Sequence, residues 1–525
     1  MFSMLGSWTE AALLLLAIIV FLSMRGRKSD LHLPPGPRPY PLVGNLPELS
    51  RHIYRDFERL GKKYGPLLYL KMGAVPVVVV QNAELAREIT KVHDQVFAYR
   101  PQDLSGVQIL LFEGDDVGFA PIGAHWRYLR KLYATELFLP KRLNTFKDQR
   151  LEEINAIMRA MLETSKQGGT VNVYEYLNAL MYNVVTQMVA GKSYYGSKAV
   201  SSKEIETFQT LMVDFFALFN GFNIVDWFPY MRVFGDLQGS EKRMRGVAAR
   251  LDAFLQGCID EHRNRKKAPE LHQTGGSQVE EVKDFVDLLL EVHGVESGEQ
   301  FGDRNIKIML QASFIAGTES TSSAMQWALT ELVRHPKVMK KVQDEVDSIV
   351  GRERMVRDDD IPQLKLLEAV IKETFRLHPP GPFLLPRQPI QNCKVGGYDI
   401  PSTARVFVST WAIGRDPAVW ENPLEFMPER FLDNPRDFNG SFHEFLPFGS
   451  GRRICPGMNL GLVMLRLQLA NLVHLCNYSL PPGQMLEDMD MTVSPGFNLP
   501  KRVPLEVIAT PRLAPEFYKT HLGFN

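Results

Sequence analysis

The chain has 525 residues, 45% of them apolar and 23% charged, a globular composition long enough for several average domains. Basic and acidic residues balance at 60 each, so the charge gives no reason to expect nucleic acid as a partner. The four cysteines, Cys258, Cys393, Cys455 and Cys476, are far apart with no Cys-x-x-Cys, which argues against a zinc site and a disulfide-stapled secreted fold, and for a reducing compartment.

The first element is a membrane span. Leu5 to Met24 is almost wholly apolar, and about 20 such residues cross a bilayer as a helix. Arg25, Arg27 and Lys28 follow at once and no basic residue precedes, which places the rest of the chain in the cytosol. A cleaved signal peptide would want a basic start and a small-residue cleavage site, and neither is clear here. Residues 1–28 therefore read as anchor and basic stop, 29–40 as a stiff proline hinge around Leu33-Pro-Pro-Gly-Pro37, and 41–525 as one body.

Within that body, Tyr69-Leu-Lys-Met-Gly and Ala74 to Val80 predict an edge β-hairpin. Helical periodicity then dominates, with stretches near 125–165, 203–220, 241–263, 304–335 and 361–377. The polar run from Arg265 to Val282 reads as an exposed loop, not a domain boundary. Strand signals return over Cys393–Val408, around Gly396-Gly397, and near the C-terminus. The fold class is mainly α with a small β part, in one domain.

Four constellations stand out along this framework. Trp126 and Arg130 lie four apart, on one helix face. The segment Ala316-Gly-Thr-Glu-Ser-Thr321 is odd inside an apolar helix: two small residues let another group approach the backbone, then an acid and hydroxyls appear together. Glu373 and Arg376 share a helix face, in a pattern that taken alone is an ordinary surface pair. Last comes Phe448-x-x-Gly451-x-Arg453-x-Cys455-x-Gly457, a lone thiol fenced by glycines, prolines and arginines ahead of an apolar helix. A buried structural cysteine needs none of that fence. A thiolate ligating iron needs most of it, because freed N–H groups, positive charge and a helix N-terminus favour S⁻ over SH.

That last pattern resembles the haem-binding loop of the cytochrome P-450 family, and the other motifs follow in the family's order and spacing. The resemblance implies a single haem domain of that type behind the N-terminal transmembrane helix. It implies haem b with Cys455 as axial thiolate and metal ligand, and Phe448 and Arg453 in the haem-binding loop. Trp126, Arg130, Arg387 and Arg453 would meet the haem propionates. O–O cleavage consumes protons, so the distal segment implies a relay in which Glu319 feeds protons and a neighbouring hydroxyl passes them on. The family usually carries threonine where Ser320 stands. Ser320 keeps the hydroxyl without the methyl that fixes its rotamer, so either it carries the role less rigidly or Thr321 helps. Glu373, Arg376 and Arg430 would form a buried cluster behind the haem.

The hinge and the cysteine loop look like the plant A-type microsomal branch. The expected activity is insertion of one O₂ atom into a small lipophilic or aromatic substrate at the endoplasmic reticulum membrane. Electrons would come from a separate NADPH-dependent flavoprotein reductase, since no Rossmann or flavodoxin pattern occurs in the chain and NADPH would act only through that partner. Residues 373–384 and the tail 509–519 look like plant enzymes that hydroxylate phenylpropanoid and flavonoid rings. Hydroxylation of a fatty acid or terpenoid, a reductase-independent isomerase or dehydratase, and a non-catalytic haem sensor are the competing readings. The pocket walls are expected at Gln102–Phe119, Leu211–Phe222, Ala312–Ala316, Phe383–Leu385 and Pro495–Asn498.

Overall fold

A computed structural model describes residues 31–194, 202–267, 282–292, 301–496 and 498–524. The expected anchor at Leu5–Met24 and most of the Arg265–Val282 loop lie outside those residues. Among the described residues helices predominate, and three small sheets account for the β part.

The proline segment expected as a hinge packs against the first strand. The Tyr69 N–H donates to the Pro35 carbonyl at 2.9 Å, and a Cβ on Gly36 would fall 1.9 Å from the Tyr69 carbonyl oxygen, so only glycine lets the strand and hinge meet. The hairpin forms as β1 (Leu67–Met72) and β2 (Val75–Val80), paired antiparallel from Leu67↔Val80 to Met72↔Val75. β2 is central rather than an edge, since Arg405–Val408 (β3) adds parallel to its other side from Val77↔Arg405 to Val80↔Val408. Its Val77–Val80 run is fully buried, as befits a strand covered on both faces. Gly396 and Gly397, both at positive φ, turn a separate hairpin between Cys393–Val395 and Tyr398–Ile400. The predicted 393–408 strand region therefore divides between two sheets.

The helix expected over 125–165 is broken. Ala124–Leu132 (α1) runs into a wide π turn, and Leu139-Pro140 starts a new helix before Lys147–Lys166. Val173–Ala190 (α2) carries no clear amphipathic signal because it is buried on nearly every side. The stretch 304–335 is two helices, Asp303–Gly317 (α3) and Glu319–Arg334 (α4), separated at Thr318 (φ −101°, ψ −74°). Lys365–Leu377 (α5) and Met458–Leu475 (α6) pack with α4 around the main apolar core. Among the described residues two stretches are long and apolar enough to cross a membrane, Glu204–Trp227 and Met458–Leu475, and the second is largely buried as a core helix.

Candidate haem site

The Cys455 loop is built by backbone constraints. Gly451 sits at φ +70°, and a Cβ there would lie 2.3 Å from the Thr90 carbonyl oxygen. The Cys455 N–H donates to the Phe448 carbonyl at 2.9 Å, which closes the loop and leaves the thiol at the start of α6. There the Gly457 and Met458 N–H groups and the charge of Arg130 act to lower its pKa, yet burial outweighs them and pushes the thiol up. The freed N–H groups and the positive charge thus act in the expected direction, and it is burial that opposes them. A metal cation bound at the sulfur supplies the missing charge, since a coordinating thiol is deprotonated outright. Phe448 packs its ring on Phe375 of α5 (5.3 Å) and on Phe438 (5.8 Å).

Above the loop lies a cluster of guanidiniums. Trp126 and Arg130 share one face of α1, with Arg130 Nη1 donating to the Ile454 carbonyl at 2.7 Å and Trp126 Nε1 to the Val117 carbonyl at 3.1 Å. Arg453 stacks 4.8 Å from the Trp126 ring and donates to Ala98, Val117 and Ala120 carbonyls. Arg387 reaches Asp94 at 3.5 Å and the Ser450 carbonyl at 3.3 Å, while its buried Nε has no partner. Sequence reasoning missed Arg100, which binds the Gly118, Leu385 and Pro386 carbonyls in the same cluster. It also missed Asp116, whose carboxyl burial pushes up to about 6.

This donor set fits a dianionic cofactor. Among the described residues, Arg100, Arg387 and Arg453 share the carboxylates of Asp94 and Asp116, Arg130 adds a fourth guanidinium beside Arg453 and Cys455, and the half-exposed Arg452 also leans on Asp94. Burial, then the neighbouring Arg387, push Arg453 down to about 10. Two added carboxylates would relieve this crowding and satisfy the orphaned Arg387 Nε.

On the other side, α3 and α4 meet at Ala316-Gly317-Thr318. Ala316, in the last turn of α3, is exposed, although Phe314 and Thr318 nearby are buried. The hydroxyls of Thr318, Ser320 and Ser322 donate back to the carbonyls of Phe314, Ala316 and Thr318, a pattern that bends helices. Thr321 turns toward α6, where its Oγ1 and the Phe448 ring both lie 3.9 Å from a Cβ built on Gly461. The Glu319 carboxyl accepts from Asn498 Nδ2 at 2.9 Å and, at a long 3.5 Å, from the Tyr174 hydroxyl of α2. Burial pushes its pKa up against both donors.

The wall residues separate. Phe119 meets Phe219 edge-on at 6.5 Å and Leu385 approaches Gly118, whereas Phe383 points into the sheet core against Phe57 and Phe407, and Phe222 is exposed. Phe497 lies outside the described residues. Behind the cysteine loop, the Glu373 carboxylate takes two bonds from Arg376 (2.7 and 2.8 Å), one from Arg430 (3.1 Å) and one from the Met427 N–H (2.8 Å). The surface-pair alternative does not hold, because Glu373 and Arg376 are wholly buried.

A family model described as Cytochrome P450 matches residues 34–505. The chain belongs to the cytochrome P450 family. It is a haem-thiolate monooxygenase, and cytochromes P450 hold haem through a cysteine thiolate on iron and draw electrons from a redox partner. It is 38% identical to a flavonoid 3'-monooxygenase of Petunia hybrida across 94% of both chains. It is 37% identical to a flavonoid 3',5'-hydroxylase of Crocosmia x crocosmiiflora, across 96% of this chain and 98% of that one. A solved zebra fish cytochrome P450 with abiraterone superposes at a TM-score of 0.70 and 26% identity, over 87% of this chain and 99% of that one.

For this P450, Arg130→Gln is expected to leave the fold intact but to speed haem loss. A hydrogen bond to a charged group contributes about 1.5–3 kcal/mol, so retention should weaken by roughly tenfold or more. Haem content after dilution into a haem scavenger measures it, and retention equal to wild type would remove Arg130 from the haem-holding set.

Proposed function

We propose that this P450 hydroxylates the aromatic ring of a flavonoid-type phenolic, with Cys455 as the axial ligand and Trp126, Arg130, Arg387 and Arg453 around the haem propionates. The likeness to flavonoid 3'-monooxygenases across 94% or more of both chains carries this reading. Apolar and aromatic walls such as Phe119, Phe219 and Leu385 suit a planar ligand. Residues 1–28 would anchor the enzyme in the endoplasmic reticulum membrane, 29–40 form the hinge, and 41–525 face the cytosol. An NADPH-dependent flavoprotein reductase would supply the electrons.

The bound haem supplies O₂ activation, which the thiolate promotes by pushing electron density onto iron. The chain's own part is proton control. Glu319 sits where the two halves of the distal helix part, and burial lets it hold a proton to higher pH than a free glutamate. Ser320 donates its Oγ–H to the Ala316 carbonyl at 2.9 Å; its lone pairs can accept a proton, and handing its own proton on would require the O–H to turn away from that carbonyl. Thr321, turned toward α6, serves packing in this reading.

Membranes containing the protein and a reductase should convert a flavonoid with one B-ring hydroxyl to the product hydroxylated at the adjacent carbon. Turnover of only a fatty acid or terpenoid, or turnover without reductase, would sink the proposal. Ser320→Ala should lower product per NADPH about fivefold, the size of one hydrogen bond, and raise hydrogen peroxide to match. Unchanged yield and peroxide would remove Ser320 from the relay.

A further inference from the structure

The distal helix carries its acid and, eight residues on, the anchor of the loop that holds that acid. Trp327 of α4 stacks on His378 at 4.0 Å with the rings nearly parallel, and the His378 Nε2 pairs with Glu331 at 2.7 Å. This fixes the indole so that Nε1 donates to the Leu499 carbonyl at 2.9 Å. The Leu499 N–H donates to the Pro380 carbonyl at 2.7 Å, and the Ser494 N–H to the Pro500 carbonyl at 2.9 Å. The 494–500 loop is therefore pinned on both sides of Asn498, whose amide meets Glu319 at 2.9 Å. Eight helical residues span about 12 Å, so acid, clamp and anchor close one ring through a single rigid helix. At the loop's tip, a Cβ on Gly496 would lie 3.7 Å from Asn220, just past the helix that carries Phe219.

We infer that Asn498 is a positioning residue for the relay acid, held by Trp327 so that its amide fixes the Glu319 carboxyl at the break in the distal helix. The inference rests on the reading of Glu319 as that acid. Among the described residues, the groups facing this carboxyl are the Asn498 amide and the Tyr174 hydroxyl, with Tyr182 acting on Tyr174. An N–H donor favours the charged form, so the Asn498 amide holds the carboxyl below the pKa that burial alone would impose. Removing the amide therefore raises the pH at which Glu319 loses its proton.

The test is infrared difference titration of the protonated carboxyl band in full-length holoenzyme, read beside product and peroxide per NADPH across pH. The band absent from Glu319→Gln belongs to Glu319. In Asn498→Leu its midpoint should move up by about one pH unit, the size of one hydrogen bond to a charged group. The alkaline loss of coupling should move up with it, while peroxide at the plateau rises several-fold. Asn498→Gln, which keeps the amide, should fall between the two and serves as the second variant where Asn498→Leu does not fold. Trp327→Phe, lacking the N–H to Leu499, should shift the band in the same direction. A Glu319 band unmoved in these variants overturns the clamp and leaves the relay standing. Unchanged coupling in Glu319→Gln overturns the relay, while the infrared shift still decides the clamp.

Discussion

Cys455→Ala is expected to abolish both the thiolate-type carbon monoxide difference band of the reduced protein and all oxygen insertion, with the fold retained. The loop does not depend on the sulfur. Its closure runs through the Cys455 N–H to the Phe448 carbonyl and through the left-handed Gly451, and alanine preserves both. Burial disfavours the thiolate in the protein alone, so the unligated sulfur stays a neutral thiol and the substitution removes no buried charge from the apoprotein. The thermal midpoint of the haem-free variant should therefore lie close to that of haem-free wild type. The holoprotein should lose the extra stability that a tightly bound ligand confers. A normal thiolate-type band in folded, haem-loaded Cys455→Ala would overturn the ligand assignment.

Glu373→Gln should have the largest effect on folding. The change removes a carboxylate that receives three guanidinium bonds and one backbone N–H, and it strands Arg376, which is wholly buried. Breaking a buried pair from one side costs about 3–5 kcal/mol, against a total domain stability of about 5–15 kcal/mol. We expect little haem-loaded protein at growth temperature and a large drop in the unfolding midpoint. Arg376 also holds the Gly414, Pro423 and Glu425 carbonyls, so Arg376→Met should fail in the same way. Combining Glu373→Leu with Arg376→Met should cost less than the sum of the two single changes, because the wholly buried Arg376 is then not left without its carboxylate, although Arg430 still loses its bond to Glu373. A Glu373→Gln protein within about 1 kcal/mol of wild type would refute a structural role for the cluster.

The sequence determined which side chains share a helix face and where the cysteine loop turns, although the local break at Leu139-Pro140 inside the expected 125–165 helix escaped periodicity. The four-residue spacing of Trp126 and Arg130 and the three-residue spacing of Glu373 and Arg376 put each pair on one helix face, and both pairs meet as expected. The glycines and prolines around Cys455 dictated a loop ending at a helix N-terminus, since few other residues tolerate that backbone. Tertiary structure decided what depends on the other side of a contact. Arg100 and Asp116 join the guanidinium cluster from a segment with no motif of its own. Tyr174 and Asn498 reach Glu319 from 145 and 179 residues away. Helix α2 was invisible to periodicity because neighbours cover it all round, and Arg405–Val408 left its apparent hairpin to become a parallel partner of β2. The pKa direction of Cys455 belongs with these, because local donors and charge argue for the thiolate and only the depth of burial reverses the balance. Spacing fixes which side chains share a face, while packing fixes how dry that face is, and it is the dryness that sets the energy of every charge in the site.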